Sequence, residues 1–169
     1  SLRGAERRRR EQFPQLPPAS RVVDLGCGNG VLGIMARRQL PSSHITFIDE
    51  SYMAVAAARL NYGALYGDDE GCFITHDCFP EAMLQSAEQP QGQVDLVLCN
   101  PPFHQQNTIS GHIAEQMMAQ SQRLLRRGGE LWLVGNRHLN YQQSLQRCFG
   151  SAELVAANSK FVVLRAIKR

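Results

Sequence analysis

The string Asn100-Pro101-Pro102-Phe103 joins a carboxamide, two rigid backbone units and a flat ring at the end of an almost continuously apolar run, Val94-Asp95-Leu96-Val97-Leu98-Cys99. An exocyclic amine on a planar base is a poor nucleophile, because its lone pair is delocalised into the ring. The Asn100 side-chain oxygen and the Pro101 carbonyl can each accept one N–H from such an amine. Those bonds pyramidalise the nitrogen and aim its lone pair at an electrophile held alongside. The prolines fix φ, so the carbonyl is oriented beforehand. Phe103 can stack on the flat substrate, a contact that contributes about 1–3 kcal/mol per base. Transfer is then accelerated chiefly by positioning. No strong base is needed beforehand, since the extra proton can leave afterwards to water or through His104. The plainer reading, a Pro-Pro turn with a half-buried Phe, does not account for the motif's place after a buried strand.

A second loop could hold the electrophile. Gly26, Gly28, Gly30 and Gly33 sit where the strand Arg21-Val22-Val23-Asp24-Leu25 gives way to a helical pattern. Without Cβ atoms the backbone can turn sharply and admit a ligand closely, while the helix start offers free amide donors. Gly28-x-Gly30-x-x-Gly33 matches a dinucleotide fingerprint, a weak signal alone. Asp24 before the loop and Asp49 at the end of the next strand strengthen it, because Asp49 is placed to hold a ribose diol. Nicotinamide dinucleotides and S-adenosylmethionine both use such an acid, so Asp49 does not separate them.

These loops need a scaffold, and the periodicity supplies one. Strands are expected at 21–25, 44–48, 72–75, 94–99 and 131–134. Helices are expected after the glycine loop to Leu40, from a Ser51 cap to about Tyr62, near Ala82–Ala87, through Ile113–Leu125 up to Gly128-Gly129, and over Leu139–Phe149. Leu154–Ala157 and Phe161–Ile167 form a closing antiparallel pair around Asn158-Ser159. Alternation of strand and helix predicts a doubly wound α/β sheet with ligands at the strand C-terminal ends. With 169 residues, 43% hydrophobic and 20% charged, the chain fits one folded domain rather than a disordered or membrane protein. Residues 1–20, Arg-rich then Pro-rich, are expected to be a boundary or linker, with the domain at 21–169. No apolar run approaches a spanning helix, and Arg7–Arg10 lead into Phe13–Pro18 rather than a signal peptide's apolar segment. A cytoplasmic location is expected. Five cysteines without a C-x-x-C pair, and histidines without ligand spacing, point to free thiols and no metal site. The net charge of +3 is carried almost wholly by arginine, with only Lys160 and Lys168 as lysines, which suits an anionic partner.

Asp24-Leu25-Gly26-Cys27-Gly28-Asn29-Gly30 resembles motif I of class I S-adenosylmethionine-dependent methyltransferases, and Asn100-Pro101-Pro102-Phe103 resembles motif IV of those acting on planar amine or amide nitrogens. With His104-Gln105-Gln106, Gly135–Leu139 and Asn158–Leu164, the chain is similar to the rRNA guanine-N2 methyltransferases of the RsmC/RlmG type. Asp49-Glu50-Ser51-x-Met53-Ala54-Val55 favours the large-subunit branch. The resemblance implies a Rossmann-like fold with a mostly parallel seven-stranded sheet, helices on both faces and a closing antiparallel strand. It implies S-adenosylmethionine held by Asp24, Gly26, Cys27, Gly28, Asn29, Gly30, Asp49, Glu50, Asp77, Cys78 and Asn100. Catalysis would fall to Asn100, Pro101, Pro102 and Phe103, and contacts to the RNA to Phe103, His104, Arg137 and Lys160. The partner is ribosomal RNA presenting an unpaired or flipped guanine. The resemblance runs from about residue 20 to 167, the catalytic half of that family. The other half, an N-terminal degenerate methyltransferase-like domain, lies outside this sequence and is expected to aid RNA binding. The family's upstream Asp-x-Gly-Ala element meets Ser1-Leu2-Arg3-Gly4-Ala5, which lacks the Asp. Arg7–Arg10 and Arg126-Arg127 read either as phosphate contacts or as solvated surface. A protein glutamine or DNA adenine as substrate, a non-catalytic RNA-binding domain and a nicotinamide dehydrogenase remain the other readings; the last leaves the Asn-Pro-Pro-Phe motif unexplained.

Overall fold

The computed structural model describes residues 16–17, 20–84, 92–102 and 108–169. Among them, strands β1 (Arg21–Leu25), β2 (His44–Asp49), β3 (Gly71–Thr75), β4 (Val94–Cys99), β5 (Leu125–Asn136), β6 (Glu153–Ala157) and β7 (Phe161–Ile167) form one sheet. Their order is β3-β2-β1-β4-β5-β7-β6. β7 runs antiparallel to both of its neighbours, β5 and β6, and the pairs from β3 to β5 are parallel. Helices α1 (Val31–Gln39), α2 (Tyr52–Tyr66), α3 (Glu81–Leu84), α4 (Thr108–Leu124) and α5 (Tyr141–Phe149) connect the strands.

β1 and β4 are buried along nearly their whole length, as parallel strands covered on both faces must be. The alternation of the strands splits the core in two. Val23, Leu25, Val97, Leu131 and Leu133 pack with Met117 and Met118 of α4 and Leu145 of α5. Val22, Phe47, Leu96 and Leu98 pack on the other face with Ala36 of α1 and Ala58 and Tyr62 of α2. The second cluster is reinforced by aromatic contacts: Phe47 stacks on Phe73 at 4.9 Å and meets Tyr62 edge-on at 5.1 Å, geometries that add to simple area burial. Leu16, within the expected linker, packs against this cluster, and the Ser20 hydroxyl donates to the Pro17 carbonyl.

Ser51 caps α2 as its type predicts, its side chain accepting from the Ala54 amide at 3.2 Å. Three elements outrun the sequence expectation by several residues, α4 among them, which begins at Thr108 rather than Ile113. α2 continues past Tyr62 to Tyr66, where Gly67 receives the chain at φ +97°. β5 begins at Leu125 rather than Leu131, because Gly128-Gly129 do not end the preceding helix but sit inside the strand. There the β4–β5 register shifts between Val94 and Leu96, and Gly128 takes φ +78°. α5 starts at Tyr141 rather than Leu139. Of the expected helix near Ala82–Ala87, α3 covers Glu81–Leu84, and 85–87 lie outside the described residues. No helix among the described residues is long and apolar enough to cross a membrane.

Candidate active site

The parallel strands all end at one edge of the sheet, and both motif loops leave from it. Asn100 follows β4 directly, and its amide donates to the Leu25 carbonyl at 2.9 Å. Gly26 takes φ +72°, and a Cβ there would run into the Asn100 carbonyl. The two loops therefore touch backbone to backbone, a contact only glycine permits. Gly33 is needed for a different reason: a Cβ there would enter the Phe47 ring.

Gly26, Asp49, Glu50, Asp77, Asn100 and Pro102 line one cleft with Ile113 and Met117 of α4. The Asp49 carboxylate organises this side. Oδ2 accepts from the Gly28 amide and Oδ1 from the Ser51 amide, each at 2.9 Å. An ionised carboxylate has about four acceptor positions, so both oxygens retain capacity for a diol. Asp77 Oδ1 lies 2.7 Å from His76 Nδ1. Asn100 Oδ1 is buried and has no hydrogen-bond partner among the described residues, which is costly for an acceptor unless a ligand supplies the donor.

Asp24, Cys27 and Cys78 are buried behind the loops and are not among the residues of that lining. Asp24 is fully buried, with Oδ2 accepting from the Gly33 amide at 2.7 Å. Burial pushes its carboxyl up to about 7, the Gly33 amide opposes this, and the Asp49 charge adds to it. Burial likewise pushes the Cys78 thiol up to about 11 and the Cys27 thiol well above its ordinary range. Both sulfurs are therefore un-ionised packing groups. Asn29 is exposed, its carbonyl accepting from the Asn61 side chain at 3.0 Å. Gly30 starts α1 at φ +85°.

The other half of the same edge is cationic. β5 ends at Asn136 opposite Phe161, the first residue of β7, so Arg137 and Lys160 become neighbours. The Arg137 amide donates to the Lys160 carbonyl at 2.9 Å, and its guanidinium donates to the Asn158 carbonyl at 3.1 Å. Both residues are exposed. Arg126, by contrast, belongs to the opposite edge, where it is ion-paired with Asp95. Phe103 and His104, Arg7–Arg10 and the segment 1–5 lie outside the described residues.

Sequence reasoning brings Asp49, Glu50, Asp77 and the Asn100 loop to one cleft but misses two of its walls. Ile113 and Met117 read as a core-facing helical repeat. Met117 does belong to the core, and both also line the cleft. Their position shortly after the Asn-Pro-Pro-Phe loop is the signal that could have found them. No group of three or more His, Cys, Asp or Glu among the described residues could hold a metal ion.

The donor set suits S-adenosylmethionine. Asp49 offers carboxylate oxygens to a diol, Glu50 and Asp77 add negative charge beside a cationic ligand, Ile113 and Met117 give an apolar wall, and the glycine loop leaves room for close approach.

Comparison with known proteins agrees. Residues 11–165 match the family described as Methyltransferase small domain. Ribosomal RNA large subunit methyltransferase G from Stutzerimonas stutzeri is 51% identical over 159 residues, covering 92% of this chain and 40% of that protein. The protein of the same name from Aeromonas salmonicida is 50% identical over 153 residues, covering 89% and 39%. The chain thus spans about 40% of the length of the curated relatives it matches. Among solved structures, the Thermus thermophilus 16S rRNA N2 G1207 methyltransferase (RsmC), in complex with AdoMet and guanosine, superposes with a TM-score of 0.74 at 24% identity, over 99% of this chain and 42% of that one. That likeness shows the fold.

Proposed function

The chain belongs to the methyltransferase small-domain family, and from that premise we propose that it transfers the methyl group of S-adenosylmethionine to the exocyclic N2 amine of a guanine in large-subunit ribosomal RNA. The observation that carries this reading is the unpartnered, buried Asn100 Oδ1 in the same cleft as the Asp49 carboxylate. The names of the relatives at about 50% identity support RNA of the large subunit as the substrate. The description of the Thermus structure supports guanine N2.

When bound, the cofactor supplies a sulfonium methyl open to in-line attack. This chain's residues do the rest. Asp49 holds the ribose hydroxyls with the lone pairs left over from its Gly28 and Ser51 amide bonds. Glu50 and Asp77 favour the cationic ligand, and Asp24 braces the loop from beneath through the Gly33 amide. Asn100 Oδ1 and the Pro101 carbonyl accept the two N–H groups of the guanine amine, turning its lone pair towards the methyl. The backbone contact between Gly26 and Asn100 fixes the separation of the two half-sites, and effective alignment of this kind lowers barriers by several kcal/mol. Phe103 and His104 flank the base, and Arg137 and Lys160 neutralise RNA phosphate. The guanine enters unpaired or flipped, because an amine inside a duplex cannot reach Asn100. Residues 1–20 lead into the domain, an N-terminal half of the longer relatives aids RNA binding, and the site of action is the cytoplasm.

The test is incubation with methyl-labelled S-adenosylmethionine and large-subunit rRNA, with protein and DNA as competitors. Label recovered as N2-methylguanosine is expected. Label in protein glutamine or DNA adenine would overturn the substrate, and no label in any of the three would overturn transfer by this domain.

A further inference from the structure

The helix that walls the cleft carries a buried polar residue that the proposed reaction leaves unused. Ile113, Met117, Gln120 and Leu124 recur along α4 at the spacing of a core-facing stripe. Met117 and Leu124 belong to the core, and Gln120 between them is 9% exposed. A carboxamide in such a place costs stability unless its polar atoms are paired. Gln120 Oε1 is paired with a residue 41 positions away in the chain: it accepts from the buried Phe79 amide at 2.8 Å.

Phe79 closes the turn that carries Asp77, and this turn is fastened at both ends. At its start the His76 amide donates to the Asp49 carbonyl at 2.9 Å. At its end Phe79 buries its ring in the core and gives its amide to Gln120. The Asp77 carboxylate is 58% exposed and meets His76 of the same turn, so its place at the cleft is inherited from the two ends. The first end uses backbone atoms alone. The second depends on the Gln120 side chain. One turn further along α4, Arg123 pairs with Glu81, but that pair is exposed to solvent and contributes little. The face of α4 that supplies Ile113 and Met117 to the cleft therefore also braces the opposite loop.

We propose that Gln120 is a positioning residue for the cofactor: through the Phe79 amide it holds the Asp77 carboxylate at the cleft, and so acts on S-adenosylmethionine binding rather than on methyl transfer. The assignment rests on the cofactor half of the function proposed above, not on the identity of the methyl acceptor.

The deciding measurement is a double-mutant cycle in calorimetric affinity for S-adenosylmethionine. Gln120→Met keeps the length and helix preference of the side chain but offers no carbonyl. It should bind the cofactor about tenfold more weakly, with KM for the cofactor raised alike and kcat at saturating cofactor within about twofold of wild type. In an Asp77→Ala protein, already weakened, Gln120→Met should cost nothing further, because the carboxylate it positions is gone. Wild-type affinity in Gln120→Met, a loss carried by kcat instead, or a full loss that persists in the Asp77→Ala background overturns the assignment. Wild type gives a measurement that needs no variant to fold: the Phe79 amide should gain protection from hydrogen exchange when S-adenosylhomocysteine saturates the protein, and equal protection with and without ligand overturns the brace. Failure of wild type to bind S-adenosylmethionine overturns the proposed function and this assignment together. The cycle is read without RNA, so failure to methylate guanine would overturn the proposed substrate while the cycle still decides for or against Gln120.

Discussion

The two halves of the sheet edge where the parallel strands end differ in charge, in origin and in how they are held. One half is acidic: Asp49 ends β2, Glu50 follows it and Asp77 lies after β3, and Asp49 is fastened by the backbone amides of Gly28 and Ser51. The other is cationic: Arg137 and Lys160 come from the end of β5 and the turn before β7, and are fastened by the Asn158 turn. A ligand bearing a sulfonium and an ammonium is favoured by the first half and a polyanion by the second. Neither would settle well in the other's place. Asn100 follows β4, the strand between β1 and β5, so the group proposed to align the two ligands sits between opposite fields.

Breaking the junction should have the largest effect. Asn100→Ala removes the acceptor proposed for the reacting amine, so turnover should fall about a hundred- to a thousandfold, the size seen when an aligned polar group is lost from an active site. Calorimetric affinity for S-adenosylmethionine should stay within a few-fold. Equal losses in both would mean that Asn100 belongs to the cofactor half alone.

The acidic half also carries a stability cost that pH reveals. Asp24 titrates near 7 in the folded protein against an ordinary value of 3.8. The folded state therefore holds a proton that the unfolded state has lost between those values. Stability should fall as pH rises from about 4 to 7 and level off above, by an amount on the order of 4 kcal/mol from this group. Asp24→Asn keeps an acceptor for the Gly33 amide and should flatten that slope in denaturant melts taken across the range. An unchanged slope would remove Asp24 as its cause.

Asp49→Ala should lower cofactor affinity by roughly ten- to a hundredfold, as expected for a hydrogen bond to a charged group, while RNA affinity stays unchanged. The mildest effect belongs to the other half. Arg137→Ala or Lys160→Ala should weaken RNA binding a few-fold and reduce the salt dependence by about one unit of slope, with cofactor affinity untouched. A cationic variant that lost cofactor, or an Asp49 variant that lost RNA, would erase the division.

Much of this arrangement is legible in the sequence, for local reasons. The strand run 94–99 is nearly unbroken in apolar residues, 21–25 carries Val22, Val23 and Leu25, and the glycines and prolines that end them have few other uses. Arg137 and Lys160, far apart in sequence, can be placed at one edge because the last two strands read as an antiparallel pair. What escapes the sequence is decided by tertiary packing. Gly128-Gly129 reads as a helix stop, yet pairing with β4 and β7 recruits the residues around them into β5. Ile113 and Met117 repeat as a buried stripe does, and periodicity cannot separate the side of a helix that faces the core from the side that walls a cleft. The burial of Asp24 is equally hidden, since a motif aspartate reads the same whether it lines a pocket or supports it.

The most direct test of the divided edge is a crystal structure of the protein with S-adenosylhomocysteine and guanosine. The guanine amine should lie about 3 Å from both Asn100 Oδ1 and the Pro101 carbonyl, with the ribose of the cofactor product on Asp49 and the base turned to the Arg137 side. Guanosine seated elsewhere, or Asn100 facing away from the amine while both ligands are bound, would contradict it.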